Sequence, residues 1–233
     1  MFDVRCWVFD VFPLLMSKGL FISFEGTEGC GKSTQVELLA RRLRALGHRV
    51  RTLREPGGTP IGEEIRHTLK HSQDNEGMTA VTELLLMNAS RAQLVREIIF
   101  PALEAGEIIL CDRFYDSTTA YQGYGRQLDL DLIRAVIDVA VGDIRPQLTL
   151  LLKVSLEISE LRRAMRQSTL PFMRDRMEEA DRKFFERVIQ GYEAIAAAEP
   201  KRIRVLDGTS ATETVSEKIW EAVRPLLPKP GRW

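Results

Sequence analysis

Three cysteines, Cys6, Cys30 and Cys111, are too few and too scattered among 233 residues for a disulfide framework. None stands in a Cys-x-x-Cys spacing or beside His48, His67 or His71, so a structural zinc site does not fit and a reduced, cytoplasmic setting is expected. Charge of one sign is also lacking, because 33 Lys and Arg balance 33 Asp and Glu. No global basic field exists to hold the chain on nucleic acid, and any polyanion binding must be local. No break in composition marks a second domain, and a chain that is 44% hydrophobic is long enough for one well-buried core. No apolar run is long enough to span a membrane. The first fifteen residues, MFDVRCWVFDVFPLL, come nearest, but Asp3 and Asp10 interrupt them and Arg5 is their only basic residue. Met16 stands four residues before the first strand. Translation is expected to start there, with residues 1–15 a dispensable extension and residues 16–233 one domain.

What the chain does have is Gly26-Thr27-Glu28-Gly29-Cys30-Gly31-Lys32-Ser33-Thr34, preceded by the apolar run Leu20 to Phe24. A strand, a glycine-rich turn and a helix in that order form a phosphate-binding P-loop. The glycines let successive backbone N–H groups converge on phosphate oxygens, and the helix turns its positive end to the same charge. A nucleoside triphosphate is therefore the first expected ligand. Lys32 would reach its β and γ phosphates, and Ser33 would offer a hydroxyl to Mg²⁺, a hard cation that takes oxygen ligands. Cys30 opens the helix, a position that activates thiols, so alkylation that inactivates and that ATP blocks is expected.

Further apolar runs of strand length, Val50 to Leu53, Ile108 to Cys111, Leu148 to Val154 and Ile203 to Leu206, alternate with helical patterns. The alternation predicts a parallel sheet covered on both faces. In the first helix Val36, Leu39, Leu43 and Leu46 fall on one core stripe, and Gly47 is placed to close the helix. Parallel sheets bind ligands at the carboxyl ends of their strands. There stand Arg54-Glu55-Pro56-Gly57-Gly58-Thr59-Pro60 and Asp112-Arg113-Phe114-Tyr115-Asp116-Ser117-Thr118-Thr119-Ala120-Tyr121-Gln122, with Leu85 to Gln93 on a helix between them. Taken singly, the first reads as an ordinary Pro/Gly turn and Asp112-Arg113 as a structural ion pair. Beside a P-loop on the same edge, both become candidates for a second phosphate and base pocket.

Together FEGTEGCGKST, REPGGTP, ASRAQLV and DRFYDSTTAYQG, within residues 24 to 123, resemble the thymidylate kinase family, and the order of elements follows that family to the C-terminal helix. The resemblance implies an α/β three-layer P-loop kinase fold: a parallel five-stranded sheet flanked by helices, with a small mobile lid. It implies a cytoplasmic homodimer that moves the γ-phosphoryl of ATP to dTMP with Mg²⁺, in dTTP biosynthesis. Lys32 and Ser33 would hold ATP and the metal, with Asp112 ordering Arg113 or a metal-bound water. Arg113 would grip the dTMP phosphate with support from Arg54, and Glu28 would lie near the acceptor sugar. Arg91 and Thr118 would contact the thymine edge, and Tyr121 the deoxyribose. Pro56, Ser117 and Gln122 complete the expected substrate pocket.

The residue after Gly29 is Cys30 rather than arginine, and in the branch of the family without a P-loop arginine the lid supplies the cations. Arg162, Arg163, Arg166, Arg174 and Arg176, around Pro171, are the candidates in a lid at about 162–177, with Arg162 and Arg176 foremost. Two departures stand out. Met87 occupies the place of the phenylalanine that stacks on thymine, which keeps another acceptor such as dUMP open. Lys153 stands where an aspartate is usual. From another class, a P-loop ATPase or switch without a small-molecule acceptor is the alternative.

Overall fold

A computed structural model describes residues 19–169, 176–177 and 180–227, with the side chains of 166–169 outside that description. The expected extension at residues 1–15, Met16, Pro171 and Arg174 lie outside the described residues, as does the side chain of Arg166.

The chain runs β1 (Leu20–Glu25), α1 (Lys32–Ala45), β2 (Val50–Arg54), α2 (Pro60–Lys70), α3 (Ala80–Leu94), α4 (Phe100–Glu104), β3 (Ile108–Asp112), α5 (Tyr115–Thr118), α6 (Leu130–Val141), β4 (Leu148–Lys153), α7 (Leu156–Thr169), α8 (Arg182–Ala198), β5 (Ile203–Asp207) and α9 (Thr212–Val223). Stretches of π-helix, Val95–Ile99 and Thr119–Gly125, join α3 to α4 and extend α5. The five strands form one sheet in the order β2-β3-β1-β4-β5, and every pairing is parallel. Such a sheet must be covered on both faces, which is why β1, β3 and β4 read as nearly unbroken apolar runs.

On one face, Leu20, Ile22, Phe24, Ile108, Leu110, Leu148, Leu150 and Leu152 pack against Val36, Leu39 and Leu43 of α1 and Val215 and Ile219 of α9. On the other, Phe21, Ile109 and Cys111 meet α3, α4 and α6, while Leu151 and Ile203 meet Phe185, Val188 and Tyr192 of α8. Phe21 and Phe114 are both fully buried and cross edge to face at 4.8 Å. That contact is worth about 0.5–1.5 kcal/mol beyond area burial, and it anchors the turn directly after β3.

Helix α1 closes as expected: Gly47 has φ +85°, its N–H reaches the Arg44 carbonyl at 2.9 Å, and the His48 N–H reaches that of Leu43 at 3.1 Å. This is a Schellman closure. Leu46 departs from the expected stripe and is 57% exposed, because the helix ends at Ala45 and the closing turn carries Leu46 away from the core. Residues 162–169 of the expected lid lie on α7. The helix is pinned there, since Ser159 Oγ donates to the Glu28 carbonyl at 2.7 Å and Arg162 Nη1 to that of Gly29 at 3.0 Å. Among the described residues, no helix is long and apolar enough to cross a membrane.

The register sets the site. Phe24 and Arg54 both pair with Asp112, so Glu25, Arg54 and Asp112 end three adjacent strands along one edge. Helix α1, which follows β1, and α6, which precedes β4, pack on opposite faces. The loops leaving β1 and β3 therefore part and open a crevice between them.

Candidate active site

The loop between β1 and α1 takes its shape from Gly26, Gly29 and Gly31, at φ +132°, +71° and +99°. A Cβ on Gly26 would lie 2.3 Å from the Leu152 carbonyl oxygen, so no other residue fits there. Helices α2, α3, α6 and α8 satisfy their first N–H groups with side-chain caps from Thr59, Thr79, Asp129 and Asp181. Helix α1 begins at Gly31 with no side-chain cap and no acidic residue in its first turn. Its open N–H groups and positive end suit a phosphate.

Lys32 is buried, and its ammonium donates to the carbonyls of Gly26 at 3.0 Å and Thr27 at 2.8 Å. Ser33 Oγ donates to Asp112 Oδ2 at 2.6 Å, which brings together the two residues expected at a metal. Asp112 thus orders Ser33 rather than Arg113. A hydroxyl and a carboxylate at a cleft mouth suit a hard divalent cation that keeps water and phosphate ligands. Among the described residues, no cluster of three or more His, Cys, Asp or Glu could enclose a metal ion. Glu28, Gly29, Gly31, Lys32, Ser33 and Thr34 line a cleft of about 390 Å³ together with Arg54, Glu55, Arg66, Lys70, Asp112 and Arg113.

Cys30 corrects the expectation of a reactive thiol. The loop turns its backbone outward and the Cys30 side chain inward, so that it is 1% exposed within the α1-side core. An alkylating reagent has no access to it in the folded state.

A second cavity, of about 40 Å³, adjoins the first and is lined by Glu28, Pro56, Met87, Arg91, Arg113, Ser117, Thr118, Tyr121 and Gln122, all expected at the substrate, and by Glu55, Lys70 and Met177. Arg113 is its hub. With φ +73°, its guanidinium donates to Glu28 Oε1 at 2.8 Å, Tyr121 OH at 3.1 Å, Ser117 Oγ at 3.0 Å and Tyr192 OH at 3.2 Å. Tyr121 OH in turn donates to the Glu28 carboxylate at 2.8 Å. Burial works to raise the Glu28 carboxyl, but Arg113, Lys32, Tyr121 and Lys70 outweigh it and hold Glu28 below the usual carboxylate range. Glu28 is thus an anion embedded among cations.

Arg91 is 2% exposed and committed on several sides: to Glu55 at 2.7 Å, Asn88 Oδ1 at 2.8 Å, Thr118 Oγ1 at 2.9 Å and the Phe114 carbonyl at 3.3 Å. Burial pushes the Glu55 carboxyl up despite Arg91, and Glu55 Oε1 has no partner among the described residues. Gln122 donates to Glu83 at 2.8 Å.

Two expected residues, Arg162 and Arg176, and the family departure Lys153 stand apart from the two cavities. Arg162 lies behind the P-loop on the carbonyls of Gly29 and Gly208. Arg176 pairs with Glu83, donates to the Met78 carbonyl at 3.0 Å and does not line the phosphate cleft. Lys153 is half exposed and paired with Glu193, a surface ion pair. Arg54 does reach the cleft, but from an edge where Glu63 already holds it at 3.0 Å.

The cavities add residues that the sequence reading missed. Arg66 and Lys70 both face the phosphate cleft from α2, and Lys70 also lines the second cavity. Their spacing from Glu63 along a helix begun by Thr59-Pro60 was the available signal, because positions i, i+3 and i+7 share a face. Glu28, Glu55, Lys70 and Arg113 line both cavities and form the wall where they meet.

A family model described as thymidylate kinase matches residues 24–219. The chain is 45% identical over 212 residues to a thymidylate kinase of Geobacter sulfurreducens, covering 91% of this chain and 99% of that protein. It is 47% identical over 208 residues to one of Deinococcus radiodurans, covering 89% and 98%. The crystal structure of a thymidylate kinase from Ehrlichia chaffeensis superposes with a TM-score of 0.70 at 32% identity, covering 88% of this chain and 98% of that one.

Proposed function

The chain belongs to the thymidylate kinase family, and on that footing we propose how its residues move the γ-phosphoryl group of ATP to dTMP to give dTDP and ADP. The observation that carries the reading is the shared wall of Glu28, Glu55, Lys70 and Arg113 between a P-loop cleft and the cavity lined by Arg91, Thr118 and Tyr121. Donor and acceptor phosphates placed in the two would meet there. A P-loop ATPase or switch without a small-molecule acceptor is not favoured, since its chain would have no use for the second cavity.

A monoester dianion already carries its nucleophilic oxygen, so positioning and charge neutralisation suffice and no covalent enzyme intermediate is needed. Lys32 leaves the Gly26 and Thr27 carbonyls for the donor phosphates. Ser33 and Asp112 would hold Mg²⁺, which would supply further positive charge at those phosphates when bound. Arg113 grips the acceptor phosphate, with Arg66 contributing from α2 and Arg54 from the edge. Arg162 steadies the loop through the Gly29 carbonyl, and Arg176 holds the return of the chain to α8 against Glu83. Glu28 faces the sugar, Tyr121 closes the side where a 2′-hydroxyl would sit, Arg91 and Thr118 meet the polar edge of thymine, and Met87 lies against its ring. With γ-labelled ATP and dTMP, the label is expected in dTDP; label released only as inorganic phosphate would overturn the reading.

A cytoplasmic location is proposed, where ATP is abundant and thiols such as Cys30 and Cys111 stay reduced. Two copies are proposed to pair through α3 and α6. The support is exposed apolar surface, with Val81 47% and Leu85 53% exposed on α3, and Leu132 43% and Val139 78% on α6. Sedimentation should give twice the 26.5 kDa chain mass, and Val139→Asp should shift it to the monomer. A wild-type monomer at micromolar concentration would refute the pairing.

A further inference from the structure

Glu25, the last residue of β1, is fully buried. Its carboxylate accepts the Phe114 N–H at 2.7 Å, the Ser117 hydroxyl at 2.6 Å and the Tyr192 hydroxyl at 3.0 Å. Both hydroxyls also touch Arg113, whose Nη1 donates to Ser117 Oγ at 3.0 Å and to Tyr192 OH at 3.2 Å. Glu25 therefore sits one bond behind the guanidinium on two separate paths. A charged group is costly to bury, and one kept directly behind the residues of a ligand cavity is there for what it orients.

We infer that Glu25 is a positioning residue for the acceptor phosphate: its carboxylate fixes the Ser117 and Tyr192 hydroxyls as acceptors toward Arg113, and so holds the guanidinium in the orientation in which it meets dTMP. The inference rests on the reading of Arg113 as the phosphate-binding cation. A glutamine of the same shape must keep its oxygen toward the Phe114 N–H and turn its NH₂ toward the hydroxyls. Ser117 and Tyr192 would then accept from the substituted amide in place of donating to a carboxylate, in competition with Arg113.

The same competition arises when Glu25 is protonated. Burial and neighbouring Asp116 push its carboxyl up to about 7, against the pull of Ser117, Arg113 and the Phe114 N–H. The groups facing it are Cys111 from β3, Arg113 from the turn, Ser117 and Asp116 from α5, and Tyr192 from α8. The ionised form is the competent one. kcat/KM for dTMP should therefore fall as pH drops through neutrality, beyond the fall caused by the substrate phosphate's own ionisation near pH ~6.

The test is steady-state kinetics of wild type, Glu25→Gln and Tyr192→Phe across this range, with dTMP and ATP varied in turn. Glu25→Gln should raise KM for dTMP roughly tenfold or more, leave KM for ATP within about twofold and lose the limb near neutrality. Tyr192→Phe should raise KM for dTMP about threefold to tenfold and keep the limb. A folded Glu25→Gln variant with wild-type KM and pH profile, or one whose only change is a lower Tm, would overturn the inference. If that variant fails to fold, an unchanged KM for dTMP in Tyr192→Phe does so. Wild-type turnover of dTMP in the same assay keeps failure of this role distinct from failure of the dTMP reading.

Discussion

Arg113→Ala should lower kcat/KM for dTMP about a thousandfold, on the order of 4 kcal/mol of lost transition-state stabilisation. The expectation follows from geometry: a single guanidinium, 17% exposed, binds Glu28, Tyr121, Ser117 and Tyr192 while lining both the donor cleft and the acceptor cavity. Removing it leaves Lys70 as the cation of the shared wall among the described residues, and Arg113→Lys should stay impaired because an ammonium cannot reproduce the planar fork. The same variant should change the acid dependence of stability. Glu28 has its folded carboxyl held below the unfolded value, burial notwithstanding, chiefly by Arg113. It therefore contributes stability above the unfolded pKa that is lost as pH falls through the folded one. Without Arg113, desolvation dominates, and that contribution should vanish or reverse. Urea denaturation at neutral and acid pH checks the sign; a variant with wild-type activity toward dTMP would remove Arg113 from its assigned role.

Lys32→Ala should lower kcat by about a thousandfold or more, and for every acceptor. Its ammonium is the P-loop's own cation, since Cys30 occupies the neighbouring position and points into the core. The bonds that Lys32 makes to the Gly26 and Thr27 carbonyls keep it at the loop, ready to exchange them for phosphate oxygens. The two variants should differ in kind: loss at Arg113 is felt through the acceptor, and loss at Lys32 through the donor. A residual rate that depends on which nucleoside monophosphate is supplied to Lys32→Ala would contradict this division.

Much of this could be read from the sequence where local rules and tertiary placement coincide. The glycine spacing of residues 26–31 demands positive φ, and Gly26, Gly29 and Gly31 have it. The rule that parallel strands carry ligands at their carboxyl ends found Asp112 and Arg113, and register alone then brings Glu25 and Arg54 level with them. What escaped depended on direction rather than position. Cys30 does precede a helix, yet its side chain is buried in the core beneath the loop, with Sγ 3.5 Å from the Lys32 ammonium. Arg66 and Lys70 look like the charges of any solvated helix until the neighbouring strands place them beside the P-loop. The arginines from 162 to 176 read as a lid because they are basic and flank Pro171. Arg162 lies on a helix against the loop, and Arg176 is tied to Glu83, a buried carboxylate invisible as such in a sequence. The π-helical stretch Thr119–Gly125, which carries Tyr121 and Gln122, arises from packing and has no sequence period to announce it.

The most direct measurement is competition: the protein, ATP and Mg²⁺ with an equimolar mixture of dTMP, dUMP, dCMP, dGMP and AMP, and separation of the diphosphates formed. dTDP should dominate, with none formed when the metal is withheld, and Met87 would then serve beneath thymine as the usual phenylalanine does. Another diphosphate in excess, or ADP accumulating with no acceptor diphosphate, would contradict the assignment.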